Sequence, residues 1–324
     1  MRLDDNKSEL FHYLSQQCVT IECADNKQVV STLSETVLTS LQTQDISAIS
    51  PCNHEKADTR LVLHAQDACN HGYHKLIIRT VDSDVLVIAV ALCHYIKPQE
   101  LWIAFGTGQN LRYQSVHSIS QSLGLLRSKS LLAFHSITGC DQTSAFANRG
   151  KKTAWAVLEI CEAVTPAFHT LSYVPTQQIV EDIMPQIERF VVLLYDKTSE
   201  CSTVNEARKD LFTRKGRSIE SIPPTSAALL QHVKRSAYQA GHQWGQSLLP
   251  SPSRPCPSDW GWIKGPSQTW EPYWTHLPPA SKICRELLKC GCNPDRGCRG
   301  QCKCVWANMA CTALCKCGGG CDRN

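Results

Sequence analysis

The sequence predicts an α/β domain built on a parallel sheet, followed by a helical extension and a small metal-held module at the C-terminus. Three observations lead there. Strand-like and helix-like segments alternate between Glu55 and Phe134, helical periodicity takes over beyond Gly150, and ten of the 19 cysteines crowd between Cys284 and Cys321. Alternation at this spacing is the pattern of parallel strands joined by crossover helices.

In chain order, residues 7–17 read as a helix capped by Asn6, and 18–22 and 28–32 as short strands. Apolar positions Ala57, Leu61, Leu63, Ala65 and Ala68 set a helix that starts at Glu55 and stops near Gly72. A strand at 75–80, an apolar segment at 85–96, a strand at 101–105, a turn at Gly106-Thr107-Gly108 and helical patterns at 116–123 and 128–134 follow. Further helices are predicted at 151–163, 177–196, 204–214 and 225–244. Residues 250–279 hold eight prolines together with Trp260, Trp262, Trp270 and Trp274, show no period, and read as a linker that packs through its tryptophans. These shifts place boundaries at 1–53, 54–163, 164–249, 250–283 and 284–324.

Charge is placed as unevenly as cysteine. The net charge is +4, and the segment from Cys284 onward has seven Lys/Arg against three acids, so residues 1–283 are neutral overall. That excludes attraction of the whole chain to nucleic acid and leaves only local basic surface. The longest apolar run, 85–93, is about half of a membrane span, and no apolar leader opens the sequence. The expectation is a soluble intracellular protein with no membrane partner and no secretion. Arg214, Lys215 and Arg217 fit solvated helix-end charge better than a nuclear-localisation patch, and His54, His64, His71 and His74 match no compact metal motif.

The tail reads C-x-C-x5-C-x3-C-x-C-x6-C-x3-C-x-C-x3-C over Cys290, Cys292, Cys298, Cys302, Cys304, Cys311, Cys315, Cys317 and Cys321, with Cys284 outside it. A reducing compartment leaves such thiols for metal, whereas a disulfide scaffold of five bridges would go with a secretory leader. Nine thiolates suit three tetrahedral zincs: twelve coordination positions are met by six terminal and three bridging sulfurs. The pattern resembles the tesmin-like CXC domain over the whole tail. The resemblance implies a three-zinc, nine-cysteine cluster in a module that often binds DNA; Gln301 stands where that family commonly has a Tyr. Three Zn²⁺ with nine thiolates sum to −3, nearly cancelling the tail's surplus of four. DNA contact would therefore rest on where Arg296, Arg299, Lys303 and Lys316 point.

Acidic residues recur in the α/β half. Glu55 and Asp58 are spaced to share one helix face, Asp82 and Asp84 follow a strand, and Asp141 lies in Thr-Gly-Cys-Asp ahead of Arg149-Gly150-Lys151-Lys152. Hard oxygen ligands converging at strand ends are what two divalent cations need for phosphodiester hydrolysis. Taken singly, each pair fits first-turn acids or N-caps better than metal ligands. Their order resembles the flap endonuclease and PIN-like nuclease core over about residues 55–163. That resemblance implies Mg²⁺ or Mn²⁺ ligands at Glu55, Asp58, Asp82, Asp84 and Asp141, with Gly150, Lys151 and Lys152 on a DNA backbone. The family's first metal-binding Asp closes an N-terminal strand; here Asp25 is the nearest candidate, so the expected PIN-like sheet lacks its first strand, as in a truncated gene copy. The whole arrangement also resembles transposon-associated proteins of animal genomes.

Two functions follow. One is a DNA-binding protein derived from a metal-dependent, structure-selective nuclease, with a nuclear setting ahead of a cytoplasmic one. The other is a non-enzymatic DNA-binding or chromatin-associated protein on a degenerate nuclease fold.

Overall fold

Helix α1 (Asp4–Cys18) and an antiparallel hairpin of β1 (Val30–Leu33) and β2 (Thr36–Thr39) precede the main sheet in a computed structural model of the chain. The structure describes residues 4–21, 27–41, 45–213, 219–275, 289–293, 298, 302–306, 311–312 and 314–319. No strand opens at residue 18. Both the amide and the hydroxyl of Thr20 bond back to Gln17 O, at 3.1 and 2.8 Å, which turns the chain.

Helix α2 (Ala57–Asn70) has Lys56 as its N-cap, so Glu55 lies before the helix and does not share a helical face with Asp58. The α2 residues Val62, Leu63, Ala65 and Cys69 face the core. Strand β3 (Lys75–Thr80), helix α3 (Ser83–Ile96) and strand β4 (Glu100–Phe105) form a parallel unit with Ile78 opposite Ile103. Strand β5 (Arg112–Ser115) then pairs antiparallel with β4, giving the order β3-β4-β5. The sheet is mixed, not purely parallel, because only six residues separate β4 from β5; a parallel return needs a crossover of a dozen or more. Gly106 starts this connection at φ +93°, where a Cβ would lie 2.6 Å from Asn110 O.

Helix α4 (Val116–Ile137) joins the two expected helical patterns across a break at Gly124, whose φ is +73°. The helix expected over 151–163 stops at Ile160 as α5 (Lys151–Ile160), and a separate helix, α6 (Val164–Leu171), begins just beyond it. Residues 177–196 divide into α7 (Gln177–Asp182) and α8 (Met184–Tyr195), where Pro185 lacks the amide needed to continue a single helix but suits a first turn. Helix α9 (Val204–Thr213) and helix α10 (Ser226–Ala237) follow. The chain leaves α10 through a π-helical turn at Tyr238–Gln243 and a 3₁₀ turn at Trp244–Gln246. The two turns lie so close to the end of α6 that a Cβ on Gly241 of the first would meet Leu171 O at 2.7 Å, and one on Gly245 of the second would meet Ser172 O at 2.5 Å.

Helix α3 is apolar all round because it is buried on two sides. Its Val85, Ala89, Val90 and Cys93 pack with Ile78, Leu101, Ile103 and Val116 of the sheet side. Its Ile88, Ala91 and Leu92 belong to a larger core that includes Leu132, Val157, Phe168, Phe190, Val233 and Trp244. The helices after residue 163 thus extend the core of the α/β part. Residues 250–274 are not a linker either: Trp260 is 3% exposed in the same core, and β6 (Trp262–Lys264) and β7 (Trp270–Pro272) form a hairpin. The segment is tied down from Leu249 and Pro250, whose carbonyls accept from His54 Nε2 at 2.7 Å and Asn53 N at 3.0 Å.

Met1–Trp274 form one unit and Thr275–Asn324, with the cysteines, another. The architecture is mixed α/β with small sheets and a C-terminal cysteine cluster. Among the described residues, no helix is long and apolar enough to cross a membrane.

Candidate functional site

Strand β3 delivers the chain to the acidic residues. The Thr80 hydroxyl accepts from Asp82 N at 3.0 Å, and Asp82 caps α3 by accepting from Asp84 N at 2.8 Å through Oδ1. Asp84, 7% exposed, sits inside, with Oδ1 2.8 Å from His135 Nε2 of α4. The His135 ring also lies 5.7 Å from that of Trp244. Asp58 stands in the first turn of α2, half-buried. Burial first, then the neighbouring Asp82 with a smaller push from Asp84, hold its carboxyl above the ordinary range, while Lys56 opposes them. Asp58, Asp82 and Asp84 therefore share one electrostatic environment at the carboxyl end of β3, the place where open α/β sheets build their sites.

The other acids stand apart. Glu55 is exposed ahead of α2, and Asp141 is exposed in the turn after α4. Among the described residues, the carboxylates form no group of three within 4.8 Å of one another. Asp25 lies outside the described residues, as do Arg214, Lys215 and Arg217. Gly150 is the N-cap of α5, and Gly150 and Lys152 are exposed. Lys151 is committed inward: its ammonium donates to His135 O and Thr138 Oγ1, each at 3.2 Å, and to Gly139 O, pinning the end of α4.

A raised carboxyl has a pH consequence of definite sign. The folded state binds a proton on Asp58 more readily than the unfolded chain, so ionised Asp58 destabilises the fold above its raised pKa and the penalty fades as pH falls through it. Asp58→Asn is expected to raise the melting temperature slightly at pH 8, with the gain shrinking in acid. Mg²⁺ should stabilise the parent protein and not the variant. Thermal melts from pH 4 to 8, with and without Mg²⁺, check this; an Asn variant that melts lower at pH 8 would contradict it.

A cavity of about 380 Å³ opens beside Asp58 and Glu55. Tyr238 and Gln243 of the π-turn, Arg254, and Trp262 and Trp270 of the hairpin line it. The sequence marked the tryptophans only as packing groups, and nothing in its periodicity pointed to His135 or Arg254.

In the tail, the described cysteines form no disulfide with one another. Their sulfurs approach to distances of 3.5 to 3.9 Å: Cys290 to Cys298, Cys311 and Cys317, Cys298 to Cys311 and Cys317, and Cys304 to Cys315. A disulfide would bring two sulfurs to about 2.05 Å. A tetrahedron with metal–sulfur bonds of about 2.3 Å has edges of about 3.8 Å, so these spacings fit thiolates around zinc. Three groups of four have all their sulfurs within 4.8 Å: Cys290, Cys292, Cys298 and Cys302; Cys290, Cys311, Cys315 and Cys317; and Cys290, Cys302, Cys304 and Cys311.

Backbone amides prepare part of this set. The amide at Val305 holds the Cys302 thiol down to about 6, and the Cys290 amide, 3.3 Å from Sγ, does the same for Cys315, also to about 6. Burial pushes Cys304 up to about 12. A metal would therefore displace protons from these sulfurs most easily where backbone amides already favour the thiolate. Lys303 and Lys316 are exposed on the tail; Cys284, Cys321, Arg296 and Arg299 lie outside the described residues. No protein family model, no curated protein and no solved structure matches this chain.

Proposed function

We propose that this chain is a DNA-binding protein derived from a divalent-metal-dependent, structure-selective nuclease of the PIN-like type, with a tesmin-like CXC tail that holds three zincs and adds DNA affinity. The observation that carries the first part is the shared field of Asp58, Asp82 and Asp84 at the end of β3. Mg²⁺ binds through one or two carboxylates plus waters and substrate phosphates, a demand that Asp58 and Asp82 can meet without a closed protein cage. Such a cation would supply the water activation and charge neutralisation that phosphodiester hydrolysis requires. Glu55 flanks the same cavity as Asp58, and exposed Lys152 is available to a phosphate.

The tail reading rests on how the three sulfur groups overlap. Cys290 belongs to all three, and Cys302 and Cys311 to two each. Giving Cys321 one of the places of Cys290 yields three bridging thiolates, Cys290, Cys302 and Cys311, and six terminal ones. That is the stoichiometry of three tetrahedral zincs. Exposed Lys303 and Lys316, with Arg296 and Arg299, would meet the phosphate backbone.

The buried Asp84–His135 bond and the exposed position of Asp141 favour a second reading, a DNA-binding protein without catalysis. Purified protein incubated with labelled single-stranded, flap and duplex DNA in Mg²⁺ or Mn²⁺ separates the two. The nuclease reading expects cleavage that falls at least tenfold in Asp82→Asn, which keeps the oxygen that caps α3. Equal cleavage by both proteins exposes a contaminant. DNA binding without cleavage selects the second reading, and no binding overturns both.

A further inference from the structure

We infer that the cavity beside Asp58 takes a single unpaired nucleobase, stacked on the indoles of the β6–β7 hairpin, with its phosphate on the side of Asp58 and Asp82, where the divalent cation proposed for those carboxylates would neutralise it. The inference deepens the DNA reading and rests on it.

Size and lining argue for this ligand. About 380 Å³ is at the lower end of small-ligand sites, room for one nucleotide and not for a stacked base pair. Trp262, Trp270 and Tyr238 give the cavity three aromatic walls, while Gln243 and Arg254 bring amide and guanidinium groups that can meet the polar edge of a base. A hydrophobic ligand would leave those groups unpaired, and a small ion would leave the rings unused. Trp270 is 38% exposed although it lines a concavity, which is the state of a stacking surface and not of a core residue.

One further feature points the same way. The cavity wall is built from the π-helical turn, a rare geometry that concentrates at functional sites. Gly241 within that turn lies against Leu171 and Pro175, where no side chain fits. Meanwhile Arg235 sits over the ring of Trp262 at 5.9 Å and Lys264 over Trp270 at 5.6 Å. Each indole thus carries a cation on one face, which adds positive charge near a strand whose base stacks on the other.

Because Asp58 lines the cavity, a base held there would bring its own phosphate to the divalent cation that Asp58 and Asp82 would hold. A base inside a duplex cannot enter without leaving its stack, so occupancy selects single strands, ends and bulges.

The test is equilibrium binding of the full chain to a fluorescein-labelled oligodeoxyadenylate and to the same strand made wholly of abasic sites, in Ca²⁺ to prevent turnover. The base-bearing strand is expected to bind about tenfold tighter. Trp270→Ala, on an exposed hairpin strand, and Arg254→Gln should each weaken that strand by about five- to tenfold and leave the abasic strand unchanged. Equal affinity of the parent protein for both strands, or variants that weaken both alike, would overturn the pocket and leave the DNA reading standing. Failure to bind either strand would overturn both. Free deoxyadenosine monophosphate competing as well as the strand, mole for mole, would show a free-nucleotide site and overturn the assignment to nucleic acid.

Discussion

Chelation of the purified protein is expected to remove three zinc ions and unfold the tail while leaving Met1–Trp274 folded. Among the described residues of the tail, the buried cluster is made of the cysteines with Val305 packed against it, so these residues keep no apolar core once the metal leaves. Structural zinc contributes roughly 10 kcal/mol or more per ion, far above what a segment of this size gains from side-chain burial. Native mass spectrometry should count three zincs before chelation and none after it. Hydrogen exchange should show protection lost at Lys316, whose amide bonds Cys290 O at 3.0 Å, and at Gly318, bonded to Cys315 O at 2.8 Å. Amides of α3 and α10, whose side chains fill the large core, should keep theirs. Cys290→Ser is expected to lose two or more zincs and Cys292→Ser one at most, since the first sulfur belongs to three groups and the second to one. Far fewer than three zincs after anaerobic purification, or disulfides within the tail, would refute the cluster, and equal losses from the two variants would refute the bridging assignment.

The parts legible in the sequence were those with a period or a fixed spacing. Strand β3, strand β4 and the apolar helix between them lie within a residue or two of the expected positions: α3 and β4 are buried and leave long apolar runs, and β3, of which only Ile78 is buried, keeps the short run Leu76-Ile77-Ile78. The cysteine spacing marked the tail thiols as a metal-binding set, since C-x-C and C-x3-C confine thiols to one neighbourhood, but not which of them come together: Cys290 joins Cys311, Cys315 and Cys317 across more than twenty residues. What escaped notice was decided by tertiary contact. Nothing local distinguishes Glu55 from a helix-start acid; the helix begins after Lys56. The direction of β5 depends on a short connection, and the Trp/Pro segment looks irregular because its order comes from Trp260 entering a distant core. The partner of Asp84 lies 51 residues further on, a separation at which pattern carries no information. The acidic site was therefore readable as a set of residues and unreadable as a geometry.

That partnership sets the second large effect: Asp84→Ala is expected to cost roughly 3 kcal/mol or more of folding stability, against about 1 kcal/mol for Asp82→Ala. Asp82 contributes a partly exposed N-cap whose loss water can partly repair. Asp84 is different, because its removal strands His135 Nε2 beside Trp244 in a region closed to solvent and leaves a void at the junction of α3 and α4. Urea denaturation of the two variants beside the parent measures the difference in midpoint, and equal midpoints would mean that the His135 bond carries no special weight. Asp84→Asn should recover much of the loss, since its amide oxygen can still accept from Nε2. The recovery has a functional use. Loss of cleavage in Asp84→Ala could reflect unfolding alone, whereas Asp84→Asn keeps the contact and removes only the charge. If Mg²⁺ raises the melting temperature of the parent and of Asp84→Asn by the same amount, Asp84 serves His135 and the cation belongs to Asp58 and Asp82. If the rise disappears in Asp84→Asn, the carboxylate supports the cation as well, and one buried oxygen pair serves both folding and chemistry.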